Sequence, residues 1–426
     1  MLSFTQIVAL NPFKHMKTKY LVLVAVLFLN VCFAQKNTNI NINNTLSLAD
    51  KQYRNMLNVS QDLNWYPRTQ AKDGSLKYVE IKDWTGGFWP GNLWYMYELT
   101  KDNYWKQHAT KWTESLEKNQ FNTSNHDLGF MMYCSYGNAY KNTSNPKYKE
   151  VLIQSAKSLK SRYNPVIGSI ESWNSRMSWD GKTFWDYPVI IDNLMNLELL
   201  FFASKETGDN SFRDVAVKHA ETSLKYHIRP DFSTYHVVNY DTLSGKMLNR
   251  QTCQGYADNS TWARGQAWAI YGYTMIYRET QDKKFLDAAI GLTNFFLENK
   301  NLPKDHIPYW DFNANQEGFK PDFKYDANLY KESPRDASAA AIVSSALLEL
   351  CNYVPEKRND YINASKNILK SLSSNQYLAE AGSNNNFLLK HSTGSLPHNQ
   401  EIDVPLVYAD YYYLEALLRY KNMNKL

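Results

Sequence analysis

Cysteine is scarce in this chain, with 4 residues among 426, and the four lie far apart in the sequence. That spacing excludes a disulfide framework and a cysteine-based zinc site. Also missing are paired histidines at helical spacing beside a glutamate, a glycine-rich phosphate loop and a nucleophile elbow. These absences exclude the common zinc hydrolases, the P-loop and dinucleotide-binding proteins, and the serine hydrolases of that type. The sequence therefore predicts no metal site.

Net charge and long apolar runs are also modest. The chain contains 47 basic and 42 acidic residues, and Lys14, Lys17 and Lys19 account for three of the basic ones. A nearly neutral protein without a long apolar span is expected to bind neither nucleic acid nor a membrane surface. We predict no partner of either kind, and no oligomeric state follows from the sequence.

The N-terminus has the pattern of an export signal. Residues 16–19 form a basic start, residues 20–33 a short apolar run, and Ala34 ends a stretch with small residues suited to cleavage. This pattern is typical of a secretory signal peptide and is too short for a spanning helix. We interpret residues 1–34 as the signal peptide, with Met16 as a candidate start. The protein is therefore expected to be exported, either periplasmic or secreted.

The remainder is predicted to form one domain behind a short leader. Residues 35–45 are polar and rich in asparagine, which favours a disordered segment. No linker and no change in composition interrupt residues 46–426. We therefore assign 46–426 to a single domain.

Helical periodicity dominates that domain. Segments 127–141 and 189–207 are apolar nearly all round, whereas 146–162 and 211–227 carry one apolar stripe and a charged face. Since a helix that is apolar on every side is buried, buried and amphipathic helices alternate. The alternation predicts an all-α fold, an (α/α)6 barrel of six inner and six outer helices with long loops at the active-site mouth. The predicted helices are 46–59, 91–101, 103–119, 127–141, 146–162, 189–207, 211–227, 262–280, 283–299, 336–352, 358–374 and 405–421.

Long loops and distinctive motifs are concentrated before the inner helices. Stretches 164–188, 228–261 and 300–335 are rich in aromatic and polar residues, and 232–250 resembles a short hairpin. Aromatic side chains, 15% of the chain, fill a core or form flat surfaces on which sugar rings stack. If the inner helices run parallel, the motifs converge on one mouth of the barrel. They are Trp84-Thr85-Gly86-Gly87-Phe88-Trp89-Pro90-Gly91, Asn125-His126-Asp127-Leu128-Gly129-Phe130, Pro188-Val189-Ile190-Ile191-Asp192-Asn193, Asp258-Asn259-Ser260-Thr261-Trp262-Ala263-Arg264-Gly265-Gln266-Ala267-Trp268 and Ser333-Pro334-Arg335-Asp336.

Asp127 and Asp192 are the candidate chemical centre. An aspartate at a helix start is often only a cap, and capping is a sufficient role for Asp336. Asp192, however, lies in an apolar run, where burial raises the pKa of a carboxyl toward the value that suits a general acid. A second carboxyl nearby separates the two pKa values, as in paired-carboxylate glycosidases. Both interpretations, capping and catalysis, remain open from the residues alone.

Arg264 and Trp268 are candidate ligands for a sugar. Arg264 either pairs with an aromatic ring or an acid inside the protein, or binds a uronic carboxylate through two prongs. Trp268, four residues on, lies on the same helix face and is placed to stack on the same ring. His126 and His236 are either ordinary loop histidines or members of this site.

Four of these motifs together resemble the unsaturated glucuronyl hydrolases, family 88 of the glycoside hydrolases. The motifs are those at 84–91 and 126–130, Asp192-Asn193, and 262–268, and the resemblance spans about residues 50–422. It implies an (α/α)6 barrel, no cofactor, and action on polysaccharide-lyase products. Such oligosaccharides carry a 4,5-unsaturated uronic acid at the non-reducing end.

The resemblance also implies a mechanism and a set of site residues. A general acid protonates C4, water adds at C5, and the resulting hemiketal opens so that the glycosidic bond breaks. Asp192 matches the general acid/base and proton donor, and Asp127 matches the second essential carboxylate. The positions implied to bind substrate are Arg264, Trp268, Thr252, His236, Gln254, Trp84, Trp89 and His126.

One stretch departs from the family pattern. Relatives that accept sulfated glycosaminoglycan products share a Ser-x-x-Ser-x-Lys arrangement, whereas residues 392–398 place Pro397 where that lysine is expected. An ulvan-type substrate therefore remains an alternative to glycosaminoglycan oligosaccharides. Three further hypotheses stay open: an unsaturated rhamnogalacturonyl hydrolase of the same barrel type, a non-catalytic oligosaccharide-binding protein, and a helical-barrel sugar epimerase.

Overall fold

Twelve α-helices of the described chain each fall in a segment where periodicity predicts one. The structure, a computed structural model, describes residues 40–321, 323–329 and 332–423. The predicted signal peptide and the first five leader residues lie outside the described residues. The helices are α1 (Ile42–Val59), α2 (Phe88–Thr100), α3 (Asn103–Glu114), α4 (Asn138–Thr143), α5 (Pro146–Lys160), α6 (Leu197–Thr207), α7 (Asn210–Tyr226), α8 (Ala263–Thr280), α9 (Lys283–Glu298), α10 (Ala337–Leu350), α11 (Arg358–Leu372) and α12 (Val407–Met423).

Even-numbered helices form the inner ring and odd-numbered helices the outer ring. Each inner helix contacts the next, except that α6 contacts residues 129–137 just before α4 rather than α4 itself, and α12 contacts α2, so the ring closes. Each outer helix packs against an inner neighbour. In α10 nearly every residue is buried, because the small side chains of Ala337, Ala339, Ala340 and Ala341 allow close approach on all sides. The predicted all-α (α/α)6 barrel is confirmed, and the chain from Ile42 onward is one compact unit.

Three helix starts differ from the prediction. Helix α1 begins at Ile42, so residues 42–45 belong to the barrel and not to the leader. The inner segment before α4 is π-helical over Gly129–Gly137, and the one before α6 is 3-10-helical over Ile191–Asn196. Residues 189–190 are strand rather than helix, because the β-branched side chains of this run favour a pleated, buried strand.

Short strands occupy the long loops. The hairpin predicted within 232–250 is present as β8 and β9, and β7 pairs with it as an unpredicted third strand, with Val189 opposite Val238 and Ile190 opposite Val237. The three-stranded sheet carries the chain directly into the Asp192 turn. The strands are β1 (Trp65–Gln70), β2 (Leu76–Glu80), β3 (Tyr163–Asn164), β4 (Ser169–Ile170), β5 (Arg176–Met177), β6 (Phe184–Trp185), β7 (Tyr187–Ile190), β8 (Val237–Tyr240), β9 (Met247–Gln251), β10 (Ser392–Ser395) and β11 (Gln400–Val404).

Glycine permits two close approaches beside the π-helical segment. A methyl group on Gly87, just before α2, would overlap the backbone carbonyl oxygens of Phe130 and Met131. A methyl group on Gly129 would overlap the backbone and side chain of Asn196. The first turns of three inner helices therefore pack backbone against backbone, which brings the motif residues into one place.

A second cavity of about 330 Å³ lies inside the barrel and shares Phe130 with the cavity at the mouth. Its walls include a network of ion pairs in which Arg278 contacts Glu198 and Glu349. Arg419 contacts Glu349 at 2.9 Å in the same network. Within the described residues no helix is both long and apolar enough to span a bilayer.

Candidate active site

Asp127 and Asp192 line one cavity of about 370 Å³ at the mouth of the barrel. Of the predicted substrate-binding residues, Trp84, Gln254 and Arg264 also line it. The complete lining is Arg68, Trp84, Asp127, Phe130, Trp173, Arg176, Ile190, Asp192, Cys253, Gln254, Arg264, Gly394, Ser395, His398, Gln400, Glu401 and Tyr408.

Asp192 is a buried carboxyl that holds a proton near neutral pH. It follows β7 in the first turn of the 3-10 segment, with 12% of its side chain exposed. Burial raises the pKa of Asp192 to about 7, while the charge of Arg264 and the indole N–H of Trp268 favour the ionised form. Its Oδ2 is buried and accepts no hydrogen bond from the described protein, and the side chain reaches the cavity through its small exposed fraction.

Asp127 lies on the first turn of the neighbouring inner helix. Its backbone N–H donates to Asn125 Oδ1 at 2.9 Å, which fixes the turn before the π-helical segment. Burial raises the pKa of Asp127 well above its usual value, and the nearby charge of Asp192 raises it further. Two carboxyls that resist simultaneous ionisation in one cavity retain a proton between them near neutrality.

Each carboxyl has a neutral imidazole beside it. His236 Nδ1 accepts the backbone N–H groups of Cys253 (3.1 Å) and Gln254 (3.2 Å). The ring proton therefore resides on Nε2, which lies 3.7 Å from Asp192 Oδ2. Burial holds the pKa of His236 well below its usual value, so the ring stays uncharged.

His126 has the corresponding position beside Asp127. Its Nε2 lies 3.3 Å from Asp127 Oδ1, and burial lowers the pKa of His126 to about 3. Both predicted histidines are thus buried against the carboxyls and outside the cavity lining. Each ring therefore faces an aspartate and not the cavity.

Ser172 connects the two carboxyl-bearing segments, and sequence reasoning missed it. Its carbonyl accepts the N–H of His126 at 3.2 Å, and its Oγ accepts the N–H of Ile190 at 2.9 Å. Its own N–H donates to Pro188 O at 2.9 Å. One loop residue thereby sets the separation between the Asp127 turn and the strand that carries Asp192. A serine in a polar loop gives no sequence signal of such a role.

Arg264 lines the cavity and donates hydrogen bonds to three oxygen atoms of the protein. Nη1 donates to Asp336 Oδ2 (2.7 Å) and to Thr393 O (2.5 Å), and Nη2 donates to Gly394 O (2.6 Å). The side chain is 1% exposed and lies over the ring of Trp262. The role of Arg264 in binding a uronic carboxylate stays a prediction. The internal ion pair, the alternative interpretation, is what the structure shows.

Two predicted tryptophans do not reach the cavity. Trp268 is fully buried, and its ring packs against Phe130 at 5.1 Å, so Phe130 and not Trp268 faces the cavity. Trp89 faces the outer ring, with its ring 5.3 Å from that of Tyr53. Its position at the start of α2, one residue after Phe88, turns it away from the barrel axis.

The remaining predicted residues divide between wall and support. Trp84 forms part of the wall and packs on Tyr408 at 4.9 Å. Gln254 also lines the cavity, and its Nε2 donates to Gly394 O at 3.1 Å. Thr252 is behind the wall, where its Oγ1 accepts the N–H of Gly255 at 2.8 Å.

Several wall residues were not predicted, including Trp173, Arg176 and His398. The available signal was the aromatic-rich composition of stretch 164–188, which marked a functional loop without identifying its members. Within the described ranges, no cluster of three or more His, Cys, Asp or Glu side chains is placed to hold a metal ion. The three described cysteines are buried and unpaired.

Comparison with known proteins identifies the family. The sequence profile of Glycosyl Hydrolase Family 88 matches residues 58–291. The chain is 47% identical over 415 residues to an unsaturated glucuronyl hydrolase of Formosa agariphila, covering 96% of this chain and 99% of that one. It also superposes on the crystal structure of an unsaturated glucuronyl hydrolase specific for heparin, with a TM-score of 0.82 and 45% identity, covering 90% and 97% of the two chains.

A further solved structure carries a bound sugar. It is a variant of the unsaturated glucuronyl hydrolase from Streptococcus agalactiae complexed with dGlcA-GalNAc6S, with a TM-score of 0.72, 32% identity, and coverage of 89% and 91%. The resemblance inferred from the motifs is confirmed, and the chain is a glycoside hydrolase. It belongs to glycosyl hydrolase family 88.

Proposed function

We propose that this hydrolase removes a 4,5-unsaturated glucuronyl residue from the non-reducing end of oligosaccharides made by polysaccharide lyases. The observation that carries the proposal is the Asp127–Asp192 pair, a half-buried and a buried carboxyl with raised pKa values that line one cavity. The similar enzymes from Formosa agariphila and Streptococcus agalactiae bear the name of this activity. A non-catalytic binding protein would not need a carboxyl that stays protonated near pH 7.

We infer that Asp192 transfers the protons in this reaction. The protonated carboxyl gives its proton to C4 of the vinyl ether, and positive charge develops at C5 and the ring oxygen. The ionised carboxyl then removes a proton from water as the water oxygen bonds to C5. The C5–O bond of the resulting hemiketal breaks to leave a ketone, and the hemiacetal at C1 expels the next sugar as an alcohol.

The groups around Asp192 suit both of its steps, proton donation to C4 and removal of a proton from water. The N–H of His236 faces Oδ2 and stabilises the carboxylate after proton transfer, while burial favours its reprotonation. His236 itself stays neutral and does not compete for the proton. Asp127, protonated or ionised according to the charge on Asp192, is placed to contact ring hydroxyls from the opposite segment.

The test follows the ultraviolet absorbance of the unsaturated ring. Lyase-generated disaccharides from glycosaminoglycans, ulvan and rhamnogalacturonan are incubated with the protein, and hydration of C4=C5 removes the absorbance. The saturated disaccharides provide the control. Loss with the glucuronyl substrates supports the proposal. If the absorbance of every disaccharide stays constant while calorimetry shows that the protein binds them, the protein is a binding protein instead.

The pH dependence gives a prediction of its own. Because the pKa of Asp192 is raised to about 7, the acid form needed for proton transfer predominates below that pH and is lost above it. We expect kcat/KM to fall about tenfold per pH unit above pH 7. Initial rates at low substrate concentration between pH 5 and 9 measure it. A profile that rises through neutrality would assign the proton to another group.

We also propose that the protein is exported. The pattern of residues 1–34 supports secretion to the periplasm or the medium, where lyase products arise. Fractionation of cells that express the full chain, with N-terminal sequencing of the mature protein, tests both the location and the cleavage after Ala34.

A further inference from the structure

The cationic side chains deep in the cavity wall are neutralised within the protein. Arg68 contacts Asp83 at 2.7 Å and binds both carboxylate oxygens of Glu401. Arg264 pairs with Asp336 at 2.7 Å. These two guanidinium groups therefore have their charge balanced before any ligand arrives.

Arg176 is the exception among the cavity-lining arginines. It lies on β5, is exposed, and its guanidinium makes no ion pair or hydrogen bond with another described residue. Its Cζ lies 4.3 Å from the ring centroid of Trp173 and 5.7 Å from that of Trp185. Aromatic faces hold a guanidinium flat without consuming its N–H donors, so all of these donors are available to a ligand.

The surroundings of Arg176 form one side of the cavity mouth. Trp173, on whose ring the guanidinium of Arg176 stacks, also lines the cavity. It forms an isolated antiparallel β-bridge with Asn125, two residues before Asp127. On the facing segment, His398 Nδ1 lies 2.6 Å from Ser395 Oγ, and burial and the charge of Arg176 lower the pKa of His398. A cation and two neutral polar groups thus surround a position outside the buried Asp192.

We propose that Arg176, held on Trp173, binds a sulfate group on the sugar that leaves, and so gives the enzyme its preference for sulfated oligosaccharides. This inference rests on the proposed function, because the reacting ring must occupy the buried end beside Asp192. The neighbouring sugar is then at the mouth, next to Arg176. A planar guanidinium with free donors binds the oxygens of a sulfate in two-pronged fashion. The segment 392–398 contains no lysine or arginine, so Arg176 supplies the positive charge from the opposite wall.

The experiment compares two unsaturated disaccharides that differ only in a sulfate on the leaving sugar. Arg176→Gln is expected to lower the ratio of kcat/KM for the sulfated substrate to kcat/KM for the non-sulfated substrate about tenfold. Arg176→Lys keeps the charge but not the fork, and is expected to recover part of the loss. The loss should shrink as salt is raised, because the contact is exposed.

Other outcomes separate the two proposals. If Arg176→Gln lowers kcat/KM equally for both substrates, or for neither, the role of Arg176 is overturned. The proposed hydrolase function is unaffected by either result. Failure of the wild-type protein to act on either disaccharide overturns the proposed function and this inference with it. Melting temperatures of the three proteins should agree closely, since Arg176 is exposed and forms no ion pair with another described residue.

Discussion

Replacing Asp192 by asparagine should reduce kcat by about 10²–10⁴-fold while substrate still binds. Asparagine has nearly the same shape but cannot give a proton to C4. The fold should persist, because Asp192 Oδ2 accepts no hydrogen bond from the described protein. Single-turnover absorbance measurements and calorimetry with an unsaturated disaccharide report the two quantities separately. Full turnover in Asp192→Asn would remove this residue from its assigned role.

The stability of the same variant should depend on pH in a defined direction. Burial raises the pKa of Asp192 to about 7, so the folded protein loses stability as pH rises from about 4 to 7, and the penalty persists above that range. Asparagine carries no such penalty. The melting temperature of Asp192→Asn should therefore match the wild type near pH 4 and exceed it at pH 8.

Asp410 offers a matched control, since burial raises the pKa of this carboxyl to about 7 as well. Its oxygens accept the N–H groups of Leu388 (2.8 Å) and Leu389 (2.9 Å) and the hydroxyl of Tyr53 (3.1 Å). Asp410→Asn should lower the melting temperature and leave kcat of the folded fraction nearly unchanged. The opposite responses of the two variants distinguish a chemical carboxyl from a structural one.

Gly87→Ala should destabilise the barrel by about 3 kcal/mol or more and lower kcat/KM by about a hundredfold. The added methyl group overlaps the carbonyl oxygens of Phe130 and Met131, and backbone atoms cannot rotate aside as a side chain can. The π-helical segment would have to move, and Asp127 with it. Thermal melts and initial rates on the same preparation measure both effects.

Gly86→Ala is the matched control one residue earlier. A methyl group there would meet the carbonyl oxygen of Asp83 at 3.4 Å, an ordinary contact. We expect a change of less than about 1 kcal/mol and nearly normal rates. Similar losses in both variants would mean that the Trp84–Gly91 motif is sensitive to any substitution, and not to the specific contact at Gly87.

Periodicity in the sequence was sufficient to predict the barrel, because burial acts on whole helix faces and leaves a repeating pattern. It predicted all twelve helices, yet it extended the sixth helix back through residues 189–190. Those residues lie in β7, and their pairing with β8 joins segments about 50 residues apart in the chain. A local pattern contains no information on such a partner.

The meeting of Asp127 and Asp192 in one cavity was predictable for a different reason. Asp192 is an ionisable residue within an apolar run, where burial of a carboxylate is unfavourable, and the sequence alone shows this. The wall residues give no such signal. Trp268 and Phe130 are both aromatic residues of inner segments, and only their packing decides that Phe130 faces the cavity while Trp268 lies behind it. The sequence left the partners of Arg264 open, because Asp336 and the carbonyls of Thr393 and Gly394 are far away in the chain.

Phe130, shared by the two cavities, has a kinetic consequence. It stands at the inner end of the catalytic cavity, so substrate and both products use the mouth beside Arg176 and His398. The fragment made from the unsaturated ring is the inner one and must wait until the outer sugar has diffused away. Release is then ordered: the inner fragment should inhibit competitively against substrate, and the outer sugar should give a mixed pattern.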